Sequence, residues 1–298
     1  MNILILGSTG KIGSYLMNYF SNLNRKKDNL YRIKGLSTKN FDLLDIHDIK
    51  KYIEKEKTID VLIFLVGLAH FKGEKNDYNE FKKINCDTLN NFLSTAKEYN
   101  KVPNKIIFAS TISTYGEKYN QKVYSEDIEQ KPFSPYAITK LDAENYLLKN
   151  FSDKSWILRF APIYSPDFLL NILRRTHISK IPFVVGSGKR LLSLCNIENV
   201  STVVEKIVSG EIPKGIYNLS DSKNYTYSEL LKWQNINWKV RIPEFIIGFI
   251  FYFSKIINNI FLKENSVKLI SDNIYPSDKI CKYVNLQNNL YNIKFKND

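Results

Sequence analysis

Along the first half of the chain, short apolar runs alternate with longer stretches in which apolar residues recur at helical spacing. Asn2–Leu6 reads as a strand, and Lys11–Leu23 as a helix with Ile12, Leu16, Tyr19 and Phe20 on one face. The alternation continues with strands over Tyr31–Leu36, Asp60–Val66, Lys105–Ser110 and Trp156–Phe160. Between them, helices are expected over Asp48–Glu56, Tyr78–Tyr99 and Pro135–Asn150. Runs such as Asp60–Val66 are apolar throughout, as in a strand buried on both faces of a parallel sheet. The pattern predicts an α/β fold: a doubly wound parallel sheet with right-handed crossovers, a Rossmann domain over residues 1–164. Beyond Tyr164 the rhythm loosens. Phe168–His177 and Asn199–Ser209 read as helices and Leu191–Ile197 as a strand. They belong to a smaller C-terminal substrate lobe over residues 165–298, with part of 193–222 returning to the first domain.

The segment Ile242–Leu262, IPEFIIGFIFYFSKIINNIFL, is long and apolar enough to raise a membrane span. Pro243, Glu244, Lys255, Asn258 and Asn259 interrupt it, and each polar group is costly in lipid. A packed helix of the small lobe is the expected reading, with no integral span and with peripheral membrane contact as the alternative. The 298 residues, 44% hydrophobic, suffice for a substantial core. Cys86, Cys195 and Cys281 lack paired spacing, which argues against disulfides and a zinc cage. His47, His70 and His177 are too few for a histidine-rich metal centre, so no metal is expected. The N-terminus lacks a basic leader and its apolar run is too short for a signal peptide, and the unpaired cysteines fit a reducing cytoplasm. A net charge of +13 suits an anionic partner: nucleic acid, an acidic membrane surface or a nucleotide diphosphate. The lysines are scattered among asparagines without a basic cluster interleaved with aromatic rings, which argues against nucleic acid.

Candidate chemistry begins where the first strand ends. In GSTGKIG, Gly7, Gly10 and Gly13 stand three apart at the first strand–helix junction. A pyrophosphate needs backbone N–H donors at close range, and a helix N-terminus supplies them with a dipole that favours an anion. Glycine permits the tight turn and the close packing of helix on strand. Such turns also merely end strands; the position of this one points to a dinucleotide. Lys11 adds an ammonium that either holds phosphate or faces water. After the second strand, an acidic residue would bind the ribose 2′-hydroxyl of NAD. Ser37, Thr38 and Lys39 stand there instead, and their hydroxyls and ammonium suit a 2′-phosphate. The cofactor is therefore NAD or NADP, with NADP favoured.

SPYAITK places Tyr136 and Lys140 four apart on one helix face. A neighbouring ammonium stabilises a phenolate, so such a tyrosine can take a proton from a hydroxyl or give one to a ketone oxygen. Tyr-x-x-x-Lys alone is a common accident in a chain with 19 tyrosines. Here it follows Thr111 by 25 residues, and Thr111 ends a strand at the sheet edge where α/β active sites lie.

With the glycine turn, Thr111, Tyr136 and Lys140 in this order, the chain resembles the extended short-chain dehydrogenase/reductase family over nearly all its length. It is most similar to the nucleotide-sugar 4-epimerases and 4-ketoreductases of bacterial surface-polysaccharide synthesis. GSTGKIG resembles the cofactor turn, implying contacts at Gly7, Thr9, Gly10, Lys11, Ile12 and Gly13 beside those at Ser37 and Lys39. FDLLD resembles the adenine-contacting segment, implying Asp42 and Leu43. FLVGLAH resembles the strand end beside the nicotinamide, implying Val66 and Gly67, although the family's usual histidine there is Phe64. INCDT implies a structural asparagine, Asn85, and RFAPIYSP places Pro162 near the nicotinamide. SLCNIENV, GIYNLSD and SDNIYPSDKI resemble stretches of the sugar-nucleotide enzymes. Where the family's phosphate-binding arginine is expected, Leu191-Leu192 stand, with Arg190 just upstream; substrate contacts are implied at His70, Ser113 and Arg190.

The resemblance implies hydride transfer at a sugar carbon, with Tyr136 as acid/base, Thr111 aligning the oxygen and Lys140 tuning the tyrosine and binding the ribose. Related 4,6-dehydratases follow their threonine with Asp-Glu; this chain has Ile112-Ser113, which disfavours dehydration. An epimerase and a ketoreductase both remain. The implied substrate is a nucleotide-diphospho-sugar, a UDP-N-acetylhexosamine or its 4-keto-6-deoxy derivative, and the implied assembly is a homodimer through 78–99 and 135–150. The alternative is a non-catalytic NAD(P)-binding sensor or assembly protein on the same fold; such proteins often lose the tyrosine or lysine that this chain keeps.

Overall fold

A computed structural model describes residues 1–26, 30–39, 41–68, 77–116, 118–119 and 121–295. The chain divides into two compact units. The first comprises Met1–Thr114, Pro135–Arg159 and Val203–Tyr217; the second comprises Tyr115–Ser134, Phe160–Thr202 and Asn218–Asp298.

The first unit is built on strands β1 (Asn2–Leu6), β2 (Arg32–Leu36), β3 (Val61–Phe64), β4 (Lys105–Thr111), β5 (Ser155–Phe160) and β6 (Gly215–Leu219). They form one parallel sheet in the order β6-β5-β4-β3-β1-β2. The doubly wound arrangement expected from the alternation is therefore present. β1 pairs with β2 on one side (Ile3 opposite Ile33) and with β3 on the other (Ile3 opposite Val61). The strand order thus reverses at β1, and the crevice beyond the carboxyl ends of β1 and β3 is where ligands bind in such sheets. Leu4, Leu6, Leu62, Phe64, Ile106 and Phe108 face one core. Ile3, Ile5, Ile63 and Ile107, of opposite parity, are equally buried. Double-sided burial is why these strands read as unbroken apolar runs.

Helices α1 (Lys11–Lys26), α2 (Ile46–Lys55), α3 (Tyr78–Lys82), α4 (Thr88–Glu98) and α5 (Pro135–Phe151) connect the strands. The single helix expected over Tyr78–Tyr99 is interrupted by a π turn, Lys83–Asp87. There the buried Asn85 side chain bonds the Leu68 backbone and Thr139, and that local widening matches the preference of π turns for functional positions.

The second unit contains short strand pairs. Ile163–Tyr164 pairs in parallel with Cys195–Asn196, and Leu191–Leu192 pairs antiparallel with Tyr225–Thr226. Ile181–Val185 lies between His177–Ile178 and Val240–Ile242. The strand expected over Leu191–Ile197 is thus two short pieces with different partners. Helices α6 (Leu170–Thr176), α7 (Ile197–Ser209, shared with the first unit), α8 (Tyr227–Trp233), α9 (Glu244–Ile256), α10 (Ile260–Ile270) and α11 (Asp278–Cys281) complete the chain.

The expectation of one packed helix over Ile242–Leu262 is corrected. Asn258 adopts a left-handed φ of 52°, and the Asn259 side chain caps α10 by accepting from the Leu262 amide. Asparagine tolerates both conformations, so the apolar run breaks into α9 and α10. α9 buries only Ile247, Phe251 and Ser254. Among the described residues no helix is long and apolar enough to cross a membrane.

Candidate active site

β1 runs directly into the glycine turn. Gly7 adopts a φ of 87°, and its amide and that of Ser8 donate to the Leu36 carbonyl at 2.9 and 3.1 Å. At Gly13, inside α1, a Cβ would stand 2.3 Å from the Gly7 carbonyl oxygen and 2.8 Å from Ser8 Cα, so the helix seats on the turn only with glycine there. Gly10 differs: a Cβ there would meet nothing nearer than the Gly7 oxygen at 3.4 Å. Thr9, Gly10 and Lys11 are exposed and Ile12 is half-buried behind them, leaving the start of α1 open to an anion. The turn therefore fits a dinucleotide's pyrophosphate.

Beyond β2, Ser37 is half-buried and Lys39 exposed. Asp42 is exposed, and its carboxylate accepts from the Leu44 amide at 2.8 Å. Leu43 turns its side chain into the core, while its carbonyl accepts from Asn91 at 3.2 Å.

The centre of the site is Lys140. Pro135 opens α5 at a position where its missing N–H costs nothing, and one turn later Lys140 points inward. Its ammonium is buried and donates to the Ala109 carbonyl at 3.0 Å and the Val66 carbonyl at 3.3 Å. The Phe108 ring lies 4.8 Å from it. Gly67 makes room, since a Cβ there would lie 2.9 Å from Lys140 Nζ and 3.3 Å from Asn85 Oδ1. Burial pulls the Lys140 pKa down to about 8, while the Glu144 carboxylate pulls the other way. Val66, Gly67, Asn85 and Lys140, singled out far apart in sequence, thus meet at the ends of β3 and β4.

Tyr136 stands one turn before Lys140 on α5, half-buried, with its ring edge-on to Phe81 at 6.5 Å between centroids. Thr111 closes β4, two residues past the carbonyl that holds Lys140, and its hydroxyl accepts from the Ser113 amide at 3.2 Å. Ser113 is half-exposed on the 3-10 turn that follows. Pro162 and Arg190 belong to the second unit. The Pro162 carbonyl accepts from the Cys195 amide at 3.0 Å, and the Arg190 guanidinium pairs with Glu244 at 3.2 Å. His70 lies outside the described residues.

One group escaped the sequence reading. Glu144, a further turn along α5, receives Arg159 of β5 through Nη2 at 2.6 Å and Nε at 3.1 Å, and the Ser110 hydroxyl of β4 also donates to it. Both charged side chains are buried. The signal was present: Glu144 is four residues after Lys140, on the same helix face.

The family model described as "NAD dependent epimerase/dehydratase family" matches residues 3–220. A Bacillus subtilis protein named as an uncharacterized UDP-glucose epimerase is 28% identical over 217 residues, covering 64% of this chain and 67% of the relative. Among solved structures, a Bacillus cereus UDP-glucuronic acid 4-epimerase in complex with NAD aligns with a TM-score of 0.62 at 23% identity, covering 82% of this chain and 85% of its own. A Clostridium acetobutylicum dTDP-4-dehydrorhamnose reductase aligns with a TM-score of 0.63 at 20% identity, covering 82% and 83%. These likenesses to solved structures establish the fold.

Proposed function

The chain belongs to the NAD-dependent epimerase/dehydratase family, and on that footing we propose that it is a nucleotide-sugar 4-epimerase or 4-ketoreductase that moves a hydride at carbon 4 of a UDP-N-acetylhexosamine-type sugar. The observation that carries this reading is Lys140: a buried ammonium fixed by two strand-end carbonyls, one helical turn from Tyr136 and beside the strand that ends in Thr111.

The glycine turn would hold the pyrophosphate of NAD or NADP, with Ser37, Lys39, Asp42 and Leu43 toward its adenosine half and Val66 and Gly67 toward the nicotinamide, and the family resemblance assigns Pro162 to the same cofactor. When bound, this group supplies and receives the hydride. Tyr136 takes the proton from the 4-hydroxyl as carbon 4 is oxidised and returns it on reduction. Thr111 orients that oxygen with its hydroxyl. Lys140, positively charged at neutral pH, favours the Tyr136 phenolate and hydrogen-bonds the ribose. Ser113 is assigned to the sugar and Arg190, here paired with Glu244, to the diphosphate. With Ile112 and Ser113 after Thr111, no carboxylate stands there to eliminate water, which supports epimerisation or reduction over dehydration. Ser37 and Lys39, with no acid beside them, favour NADP. A homodimer through 78–99 and 135–150, in the cytoplasm, completes the reading.

Tyr136→Phe is expected to abolish turnover of UDP-sugars while leaving cofactor affinity unchanged; surviving turnover would overturn the mechanism. Mass spectrometry of the purified protein separates the two reactions. Retained NAD marks an epimerase, and freely exchanging NADP marks a reductase.

A further inference from the structure

In the second unit, α9 turns Ile247, Phe251 and Ser254 inward. Ile250 is half-buried against the same core, and most other apolar residues of this helix face outward. Phe245 is 76% exposed, Phe249 69%, Tyr252 58% and Ile256 77%. Their spacing of four, three and four makes one stripe along the helix. Phe253 is exposed beside it and stacks on Phe249 with centroids 6.2 Å apart. Trp238, just before the strand that leads into α9, is 68% exposed. A surface in water seldom gathers so many apolar groups without a partner to cover them.

Charge identifies the partner. Exposed Arg241 and Lys255 lie at the two ends of the stripe. The Lys255 ammonium rests 4.3 Å from the Phe251 ring centroid and 5.2 Å from that of Tyr252. Glu244, the one acid in α9, is engaged by Arg190. The chain as a whole carries +13. In an isologous antiparallel contact, Arg241 of one copy would oppose Lys255 of the other, cation against cation. Anionic lipid headgroups complement them. Aromatic rings beside lysines that lay their stems on apolar surface are the composition of a helix lying in a bilayer interface. At 13 residues α9 is about 20 Å long, too short for a hydrocarbon layer about 30 Å thick.

We propose that the outward face of α9, together with Trp238, docks in the plane of an anionic lipid bilayer.

The test is flotation of the full chain with vesicles of phosphatidylcholine alone and of phosphatidylcholine and phosphatidylglycerol in equal parts. The protein is expected to float with the anionic vesicles, less so as salt rises, and to stay behind with the neutral ones. Phe249→Ser with Ile256→Ser should lower partitioning about tenfold or more. Arg241→Gln with Lys255→Gln should lower it as well, and this second pair tests the proposal even where the apolar pair fails to fold. Unchanged thermal unfolding and NAD(P) binding identify variants that keep their structure. Absence of flotation with anionic vesicles at low salt, or full flotation of folded variants, overturns the proposal. So does a dimer of the unchanged chain in sedimentation velocity that the Phe249→Ser, Ile256→Ser chain lacks without any flotation: a second copy would then be the occupant.

Discussion

Helix α5 carries a lysine and a glutamate into the interior of the first unit, and helix α9 carries phenylalanines out to the surface of the second. Each inverts the ordinary partition of polar and apolar groups. On α5 every inversion has its compensation within the chain. Arg159 and Ser110 meet Glu144, and two carbonyls and a ring meet Lys140. A buried charge without such partners would cost several kcal/mol. The outward rings of α9 remain exposed despite the Phe249–Phe253 stack and the Lys255 ammonium over Tyr252, and the proposed bilayer would cover them. Inverted burial is thus balanced within the chain in the first unit and left open to a partner in the second.

The contrast can be broken most severely at the glycine turn that leads into the site. Gly13→Ala sets a methyl against backbone and is expected to cost more than about 4 kcal/mol in chemical denaturation. Gly10→Ala, in ordinary contact only, should stay within about 0.5 kcal/mol of the parent yet weaken NAD(P)H binding followed by nicotinamide fluorescence. Equal loss of stability at both positions would erase the distinction between packing glycine and ligand glycine. Next in size, Arg159→Met leaves Glu144 as an unpaired buried carboxylate and is expected to cost about 3–5 kcal/mol. Pairing it with Glu144→Leu should recover part of that loss; strict additivity would mean the pair does not interact as the distances indicate.

On α9, Phe251→Ala removes an inward ring and should cost about 3 kcal/mol, whereas Phe249→Ala should change stability by no more than about 0.5 kcal/mol. Matching losses would show that the outward face is packed. At Lys140 the expected effect is a slope with pH rather than a single loss. Its folded pKa of about 8 lies below its ordinary value of 10.5, so between these values the unfolded chain holds a proton that the folded chain has released. Stability of the cofactor-free protein therefore gains up to about 1.4 kcal/mol per pH unit across that window from this group. Urea titrations over that range should show the gain in the parent and its loss in Lys140→Met; parallel slopes would mean the ammonium is not desolvated.

Much of the first unit was legible because parallel strands buried on both faces leave unbroken apolar runs. Lys105–Ser110 and Trp156–Phe160 accordingly fell within a residue of the observed β4 and β5. The π turn was not legible, since the contacts Asn85 makes there, to Leu68 and Thr139, span 17 and 54 positions. The Lys140 face hinted at Glu144, but its pairing with Arg159 of another strand was not legible until the fold joined them. In the second unit, strands of two residues carry too little pattern to be read, and Leu191–Ile197 merged two pieces that pair in different places.

Local chemistry along the chain determined the strand–helix alternation, the glycine turn after β1 and the Tyr136–Lys140 spacing, because each depends on neighbours within a few residues. Tertiary structure alone decided which carbonyls receive Lys140, which arginine neutralises Glu144 and which side of α9 meets solvent. Those outcomes depend on what distant segments bring to the same place: desolvation and charge pairing are properties of an assembled neighbourhood, and a linear pattern does not contain them.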